Sequence, residues 1–307
     1  MINQDSVMAT IAVEPVQTSP APRRTVRSPG PGFGAPRNFL GNRFVYVVLS
    51  PRSRGLAVGV NLNPDRECNF DCVYCEVDRR NGPVATALDV DVMGEELGRT
   101  LALVRSGGLA AVPAFQGVTP DLLRLQQVNL SGDGEPTIAP AFLDAVHAVL
   151  HVRARCSPPF FKIALLTNAT GLNRPAVAEG IRCLTSQDEV WAKLDGGTQA
   201  YLDQVNQTEV PLAEVLDNIL GLARKRPVVI QSLFPLISGK EPPEAEIREY
   251  ASRLKELRLA GAALPLVQIY SANRPTANSA CGHLPLSSLA RIARVVREMT
   301  GLRAEVF

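Results

Sequence analysis

The sequence lacks several features on which whole classes of protein depend. No run approaches the ~18 consecutive apolar residues of a membrane-spanning helix, and the amino terminus has no basic stretch followed by an apolar one, as a secretory leader would. These absences argue against a secreted or an integral membrane protein, so we expect a cytoplasmic protein that needs no membrane partner. Disulfides are unexpected for the same reason, because nothing in the sequence indicates an oxidising compartment.

A strong basic excess is also missing. The formal net charge is +2, and residues 1–40 supply all of it with four arginines against two acidic residues. Subtracting these from the totals of 32 basic and 30 acidic residues leaves 28 of each in residues 41–307. Sequence-independent nucleic-acid binding usually depends on a basic excess. The sequence therefore starts from a disadvantage as a nucleic-acid binder, although a local basic patch is compatible with it.

The composition of residues 1–40 differs from that of the rest of the chain. Proline is frequent there, interspersed with Ser, Thr, Gly and Arg, and few apolar residues are present to offset the entropy of ordering the segment. We predict a flexible Pro/Arg-rich tail. A transit peptide is the alternative, but Asp5, Glu14 and the proline content argue against it. The remaining residues, 41–307, are predicted to form one domain.

Beyond residue 40, strand-like apolar runs alternate with helical patterns, which predicts an α/β fold. The predicted strands are Phe44–Leu49, Leu56–Leu62, Gln127–Leu130, Lys162–Thr167, Glu189–Leu194, Pro227–Leu233 and Leu266–Tyr270. The predicted helices cover roughly 89–105, 139–152, 174–183, 211–225, 242–259 and 285–300. Glycine-rich polar turns follow the third and fifth strands. Because parallel α/β folds build their sites at the carboxyl ends of strands, a partial (β/α)6 TIM-like barrel is the simplest architecture, with Phe44–Leu49 and Leu302–Phe307 as peripheral additions.

Three of the six cysteines lie within eight residues, Cys68, Cys72 and Cys75, in the spacing C-x₃-C-x₂-C. Such a loop can present three thiolates to one metal centre, and it directly follows a predicted strand. An iron–sulfur cluster with three protein ligands is the leading interpretation. Structural zinc is the alternative, but it needs a fourth ligand, and the three histidines are remote in the sequence. Cys281 and His283 would have to reach the loop through the fold.

This loop resembles the signature of the radical S-adenosylmethionine (SAM) enzymes. The resemblance implies a 4Fe–4S cluster held by Cys68, Cys72 and Cys75, with SAM bound to the iron that the protein leaves open. It further implies reductive cleavage of SAM to a 5′-deoxyadenosyl radical, and it places Tyr74 near the cluster and the adenine. A plain core aromatic is the alternative for Tyr74.

The turn Gly132-Asp133-Gly134-Glu135 resembles the motif that holds the SAM ammonium group in that superfamily. Glycines permit a close backbone approach, and a carboxylate satisfies a cation. Either Asp133 or Glu135 would face the ligand, and we favour Glu135.

Further polar residues end the later strands. Thr167 and Asn168 suit ribose or carboxylate hydrogen bonds, or alternatively cap a helix. Period-two alternation places Lys193 and Asp195 on one face of a strand, either as an inward pair in the polar barrel interior or as a salt bridge at the rim. The remaining candidates, each of which has a solvated turn or an inert thiol as its alternative, are Gln231, Gln268, Arg274 as a carboxylate clamp, and Cys281 as a hydrogen donor or metal ligand.

The resemblance narrows to the wyosine-base-synthase-like group, whose pattern is matched by residues 44–80, Ser131–Thr137, Trp191–Asp195 and Val267–Pro275. Members that act on tRNA carry a second, amino-terminal cysteine set, whereas this sequence has no cysteine before Cys68. We therefore expect a radical SAM enzyme of undetermined substrate, either a small molecule or tRNA, with a tRNA-modifying, wyosine-type enzyme as the alternative. A zinc-stabilised, non-catalytic binding protein is the alternative from another class. No flavin domain is recognisable, which implies an external electron donor such as flavodoxin or ferredoxin.

Overall fold

A computed structural model describes residues 39–307, except positions 81, 84, 156–159 and 277. The predicted tail therefore lies almost entirely outside the described residues. The strands are β1 Val45–Ser50, β2 Gly55–Asn61, β3 Leu125–Ser131, β4 Lys162–Thr167, β5 Glu189–Lys193, β6 Val228–Leu233, β7 Pro235–Ile237, β8 Val267–Tyr270, β9 Cys281–His283 and β10 Ala304–Val306. The α-helices are α1 Val90–Arg105, α2 Phe142–Arg155, α3 Pro175–Cys183, α4 Gln199–Asn206, α5 Leu212–Ala223, α6 Glu244–Leu259 and α7 Leu286–Thr300.

Eight of these strands form one curled sheet in the order β1-β2-β3-β4-β5-β6-β8-β10. β1 runs antiparallel to β2, and every other neighbouring pair is parallel. β7 and β9 form a separate antiparallel pair. The α/β partial barrel predicted from the sequence is thus confirmed, and the two peripheral additions become its edge strands, β1 and β10.

The two faces of the curled sheet differ in chemistry. Alternate residues such as Val58, Val128 and Ile230 join the large apolar core that includes residues of all seven helices. The residues between them point to the inner side of the curl, where a small cluster of Ala164, Trp191 and Val229 is buried apart from that core. Toward the carboxyl ends of the strands the inner face becomes polar. Strand alternation therefore places most of the apolar residues on the outer face of the sheet and the polar candidate residues on the inner face.

The turn between β1 and β2 joins the two ends of the curled sheet. Arg54 Nη2 lies 3.1 Å from Glu305 Oε2 on β10, and the guanidinium of Arg52 stacks over the ring of Tyr270 on β8, with 4.1 Å from its carbon to the ring centroid. These side-chain contacts cross from one edge of the sheet to the other.

No helix among the described residues has both the length and the apolar character needed to cross a bilayer.

Candidate functional site

A cavity of about 480 Å³ opens at the carboxyl ends of the parallel strands. Its wall contains most of the predicted site residues: Cys68, Cys72, Tyr74, Cys75, Gly132, Asp133, Gly134, Glu135, Thr167, Asn168, Lys193, Gln231 and Arg274. Asp195 and Gln268 are buried behind this wall, both 2% exposed. The fold thus gathers residues that are up to 206 positions apart, which is what the barrel prediction requires.

Cys281 is the predicted site residue that lies elsewhere. It begins β9 and lines a second, more open pocket together with Thr276 and His283. That pocket shares Asn273, Arg274 and Pro275 with the main cavity. Pairing of β9 with β7 holds Cys281 in this place, so the thiol neighbours the cavity without forming part of its described wall.

The cysteine loop connects β2 to α1 without regular secondary structure around its three thiols. Cys68, Cys72 and Cys75 are free and half-buried. The backbone N–H groups of Asp71 and Val73 donate to the carbonyls at the end of α4, at 3.0 and 2.9 Å, which fixes the loop against that helix. Burial raises the pKa of Cys68 to about 11 and that of Cys72 to about 12. Binding a metal centre here would therefore release protons.

The glycine-rich turn after β3 packs directly against this cysteine loop. A Cβ on Gly134 would lie 1.8 Å from the carbonyl oxygen of Glu67, so only glycine fits. Gly132 has φ +156° and packs equally closely on Asn61. The N–H of Glu135 then donates to the Glu67 carbonyl at 3.0 Å. The two predicted motifs are thus a single packed unit.

Glu135 is the most completely hydrogen-bonded carboxylate of the cavity wall. Its Oε1 accepts from the N–H of Thr137 at 3.0 Å and from the hydroxyls of Thr137 and Thr167 at 2.6 Å each. Its Oε2 accepts from the N–H of Asn168 at 2.6 Å. Burial raises the pKa of Glu135, and these bonds oppose the rise. That Thr167 and Asn168 bind the ribose or a carboxylate stays a prediction, and the structure places both against Glu135.

Lys193 and Asp195 form the charged centre of the cavity floor. Nζ of Lys193 lies 3.4 Å from Oδ1 of Asp195, and it lies over the rings of Tyr74 and Tyr270 at 4.8 and 5.6 Å from their centroids. Burial acts to lower the pKa of Lys193, but the charge of Asp195 together with the contributions of Tyr270 and Cys72 outweighs it, and the pKa is raised. Lys193 therefore carries its charge at neutral pH.

Asp195 organises its surroundings as an acceptor. Its carboxylate accepts from the hydroxyl of Tyr74, from Nδ2 of Asn206 at 2.8 Å and from the N–H of Leu233 at 2.8 Å. Burial, followed by the charge of Asp195, raises the pKa of Tyr74 well above its usual value. The predicted alternation on one strand is slightly different in the structure, since β5 ends at Lys193 and Asp195 follows it.

Asn206 is the functional residue that sequence reasoning missed. It is fully buried at the end of α4, and its Nδ2 also donates to the Tyr74 hydroxyl at 3.1 Å and to Sγ of Cys72 at 3.2 Å. The signal was present: Thr198 caps the helix, and Tyr201, Leu202 and Val205 follow at helical spacing. This single amide connects the cysteine loop to the charged centre.

The donor set fits an iron–sulfur centre in its chemistry. Three thiols share one cavity wall, and an amide N–H donates to one of the sulfurs, as is usual around such clusters. Within the described part of the chain, no three His, Cys, Asp or Glu side chains are placed to hold a single metal ion. For the residues described, the structure thus places the three thiols in one wall without showing a formed cluster-binding group.

Comparison with known proteins gives weak sequence matches. No family model matches the chain. Two curated proteins from different strains of Helicobacter pylori, each named UPF0026 protein, are 23% and 22% identical over 222 residues. The match covers 70% of this chain and 64% of each relative, which is just under two thirds of the relatives' length.

Two solved structures share the architecture. SuiB from Streptococcus suis, bound to S-adenosylmethionine, superposes with a TM-score of 0.54 at 14% identity, over 84% of this chain and 52% of SuiB. TYW1 with a lysine-pyruvate adduct bound superposes with a TM-score of 0.50 at 13% identity, over 79% of this chain and 73% of TYW1. Both are radical SAM enzymes. This chain has the radical SAM fold.

The shared fold confirms the partial-barrel architecture that the sequence predicted. In the radical SAM fold of this chain, the cysteine loop follows the first parallel strand, β2, and the glycine-rich turn follows the second, β3. Two motifs recognised separately in the sequence therefore occupy neighbouring strand ends of one barrel.

Proposed function

We propose that this protein is a radical SAM enzyme in which Cys68, Cys72 and Cys75 hold a 4Fe–4S cluster. The observation that carries the proposal is the placement of all three thiols in one cavity wall with Glu135 and Lys193. When bound, the cluster supplies the electron that cleaves SAM into methionine and a 5′-deoxyadenosyl radical, which abstracts a hydrogen atom from substrate. The protein's own contribution is binding, orientation and exclusion of water.

The residues around Glu135 would hold the amino-acid part of SAM. Four hydrogen bonds fix the Glu135 carboxylate in the wall, so it would receive an ammonium group without having to move. Gly132 and Gly134 let the turn pack closely on Asn61 and Glu67, which holds Glu135 in this place. Thr167 and Asn168 stand beside it as hydrogen-bonding groups for the ribose or the carboxylate.

The Lys193–Asp195 pair would serve the other part of the cavity. Asp195 holds the Tyr74 hydroxyl and thereby the orientation of the Tyr74 ring. Lys193 presents a positive charge to the faces of the Tyr74 and Tyr270 rings. Gln231 lines the cavity nearby, and its Nε2 donates to Oε1 of Gln268 at 3.1 Å, so Gln268 acts through Gln231.

The substrate and the electron donor belong to the same proposal. A small molecule fits the cavity of about 480 Å³, and flavodoxin or ferredoxin would supply electrons. The likeness to TYW1 supports a wyosine-type reaction on tRNA as the alternative, but the formally neutral body of residues 41–307 does not favour it. Two further candidates belong to the cavity edge. Arg274, the proposed carboxylate clamp, pairs with Glu76 at 3.2 Å, and Cys281, the proposed hydrogen donor or metal ligand, lies in the adjoining pocket.

Anaerobic reconstitution tests the proposal directly. The chain is loaded with iron and sulfide, reduced with dithionite and examined by iron analysis and electron paramagnetic resonance, and deoxyadenosine release from SAM is measured by chromatography. We expect about four irons per chain. Cys72→Ala should lose both cluster and cleavage, whereas Cys183→Ala, which removes an exposed thiol at the end of α3, should retain both.

The contrary results are equally definite. Stoichiometric zinc without iron would favour the zinc-stabilised binding protein, and deoxyadenosine formation by Cys72→Ala would refute the ligand assignment. Thermal unfolding of the two apo variants, followed by circular dichroism, shows whether Cys72→Ala folds.

A further inference from the structure

Arg52 lies in the turn between β1 and β2 and forms part of the cavity wall. Its half-buried guanidinium stacks on the Tyr270 ring at 4.1 Å. Stacking uses the face of the guanidinium plane and leaves the N–H groups along its edge available for hydrogen bonds. Arg52 therefore offers a planar fork of donors to the cavity.

Arg52 differs from Arg274 and Lys193 of the same wall in having no ion-pair partner among the described residues. Arg274 pairs with Glu76 at 3.2 Å, and Lys193 pairs with Asp195 at 3.4 Å. By contrast, Nε of Arg52 is buried, and no atom of the described chain accepts its hydrogen bond. A cation taken partly out of water without an acceptor is costly. An anion bound by the terminal N–H groups would supply the missing counter-charge.

We propose that the Arg52 guanidinium binds an oxyanion of the substrate, a carboxylate or a phosphate group. This assignment rests on the proposed function of the cavity and adds the chemical class of its substrate. The guanidinium fork matches both groups because each presents two oxygens in the spacing of its N–H donors. Tyr270 fixes the plane of the fork, so less entropy is lost when the anion binds.

Arg52 contacts a different part of the sheet from the residues proposed to hold the amino-acid part of SAM. Glu135 and Asn168 lie at the ends of β3 and β4, and they contact the cysteine loop through Glu67 and Asn69. Arg52 instead contacts Tyr270 on β8, at the other end of the curled sheet. The carboxylate of SAM is the other possible source of an oxyanion in this cavity, and the experiment therefore measures SAM separately.

Arg54 provides a matched control two residues away. It is in the same turn and has the same side chain, but it is 69% exposed and paired with Glu305 at 3.1 Å. Full-length wild type, Arg52→Met, Arg52→Lys and Arg54→Met are compared in the apo and in the cluster-loaded form. Isothermal titration measures binding of inorganic phosphate, of malonate and, in the loaded form, of SAM, and thermal unfolding is recorded for each protein.

We expect the wild type to bind phosphate, malonate or both. Arg54→Met should bind the same anion with the same affinity as the wild type. Arg52→Met should weaken that binding about 10- to 100-fold, as expected for loss of a charge-assisted bidentate contact, and Arg52→Lys should restore part of it. SAM affinity should change less than twofold.

Three results would overturn the assignment. They are the absence of saturable anion binding by the wild type, undiminished binding by Arg52→Met, and a loss confined to SAM, which would show that Arg52 holds the SAM carboxylate. Unfolding at a lower temperature together with unchanged anion binding would mean that Arg52 only supports the fold. Because phosphate and malonate binding are also measured on the apo chain, failure of the cluster to form would count against the proposed function alone.

Discussion

Replacing Asp195 by Asn should destabilise the protein far more than its small change in shape suggests. The carboxylate is 2% exposed, and it accepts from Tyr74, Asn206 and Leu233 besides pairing with Lys193. An amide of the same size must turn its NH₂ group toward one side of this shell. On either side it meets hydrogen-bond donors, so native hydrogen bonds are lost.

The magnitude follows from the lost charge as well as the lost bonds. Lys193 would keep its burial but lose its counter-ion, and removal of one partner of a buried pair typically costs about 3–5 kcal/mol. Burial would then act on Lys193 without the opposing charge, so the pKa of Lys193 should fall. We therefore expect the free energy of unfolding of Asp195→Asn to be about 3–5 kcal/mol lower than that of the wild type.

Urea unfolding of the apo proteins at neutral pH provides the measurement. Asp203→Asn is the control, because Asp203 is exposed on α4 and accepts a hydrogen bond from Nε2 of Gln199 at 2.7 Å, so its effect should stay within about 0.5 kcal/mol. Adding Lys193→Met to Asp195→Asn should recover part of the loss, since the uncompensated charge is then removed. A loss below about 1 kcal/mol, or strictly additive effects, would refute the reasoning.

Two further predictions concern packing and acid stability. Gly134→Ala should displace the Glu67 carbonyl, which the new Cβ would approach to 1.8 Å, and should lower the iron content after reconstitution by more than half. Gly94→Ala is the control, because Gly94 has open space around it in α1, and its iron content should not fall. Equal iron content in the two variants would contradict the packing argument. Burial acts to raise the pKa of Asp188, but hydrogen bonds led by Arg153 outweigh it and the pKa lies below its usual value of 3.8. The stability from this pair is therefore present above pH ~4 and is lost as the pH falls through the native pKa. Asp188→Asn should lower the free energy of unfolding by about 3–5 kcal/mol near pH 7, with a smaller difference in acid-induced unfolding below pH ~3; a difference that does not depend on pH would contradict it.

Most regular elements could be predicted because their patterns are local. β4 has the predicted bounds of Lys162–Thr167, and the predicted helices agree with the observed ones to within a few residues. Two kinds of element were missed. α4 has only eight residues between a glycine turn and the next helix, and β7 and β9 have three residues each, too few for an alternating pattern.

The candidate site likewise has a part that could be predicted from the sequence and a part that could not. The cysteine spacing and the glycine-rich turn are contiguous in sequence, and polar residues at strand ends follow from the barrel. Contacts between distant residues do not: Asn206 meets Cys72 across 134 positions, and Arg52 meets Tyr270 across more than 200. Such pairs depend on how the sheet curls, which no single segment encodes.

The turn that joins the two ends of the sheet has a mechanical consequence. One exposed ion pair is worth about 0–1 kcal/mol, and one cation–π contact about 0.5–2 kcal/mol. Parting β1 and its turn from β8 and β10 would break these two arginine contacts and leave the backbone ladders between paired strands intact. The free energy of these two contacts is small enough for thermal fluctuation to break them from time to time. This flank of the cavity wall is therefore held by side-chain contacts between strands that do not pair with each other.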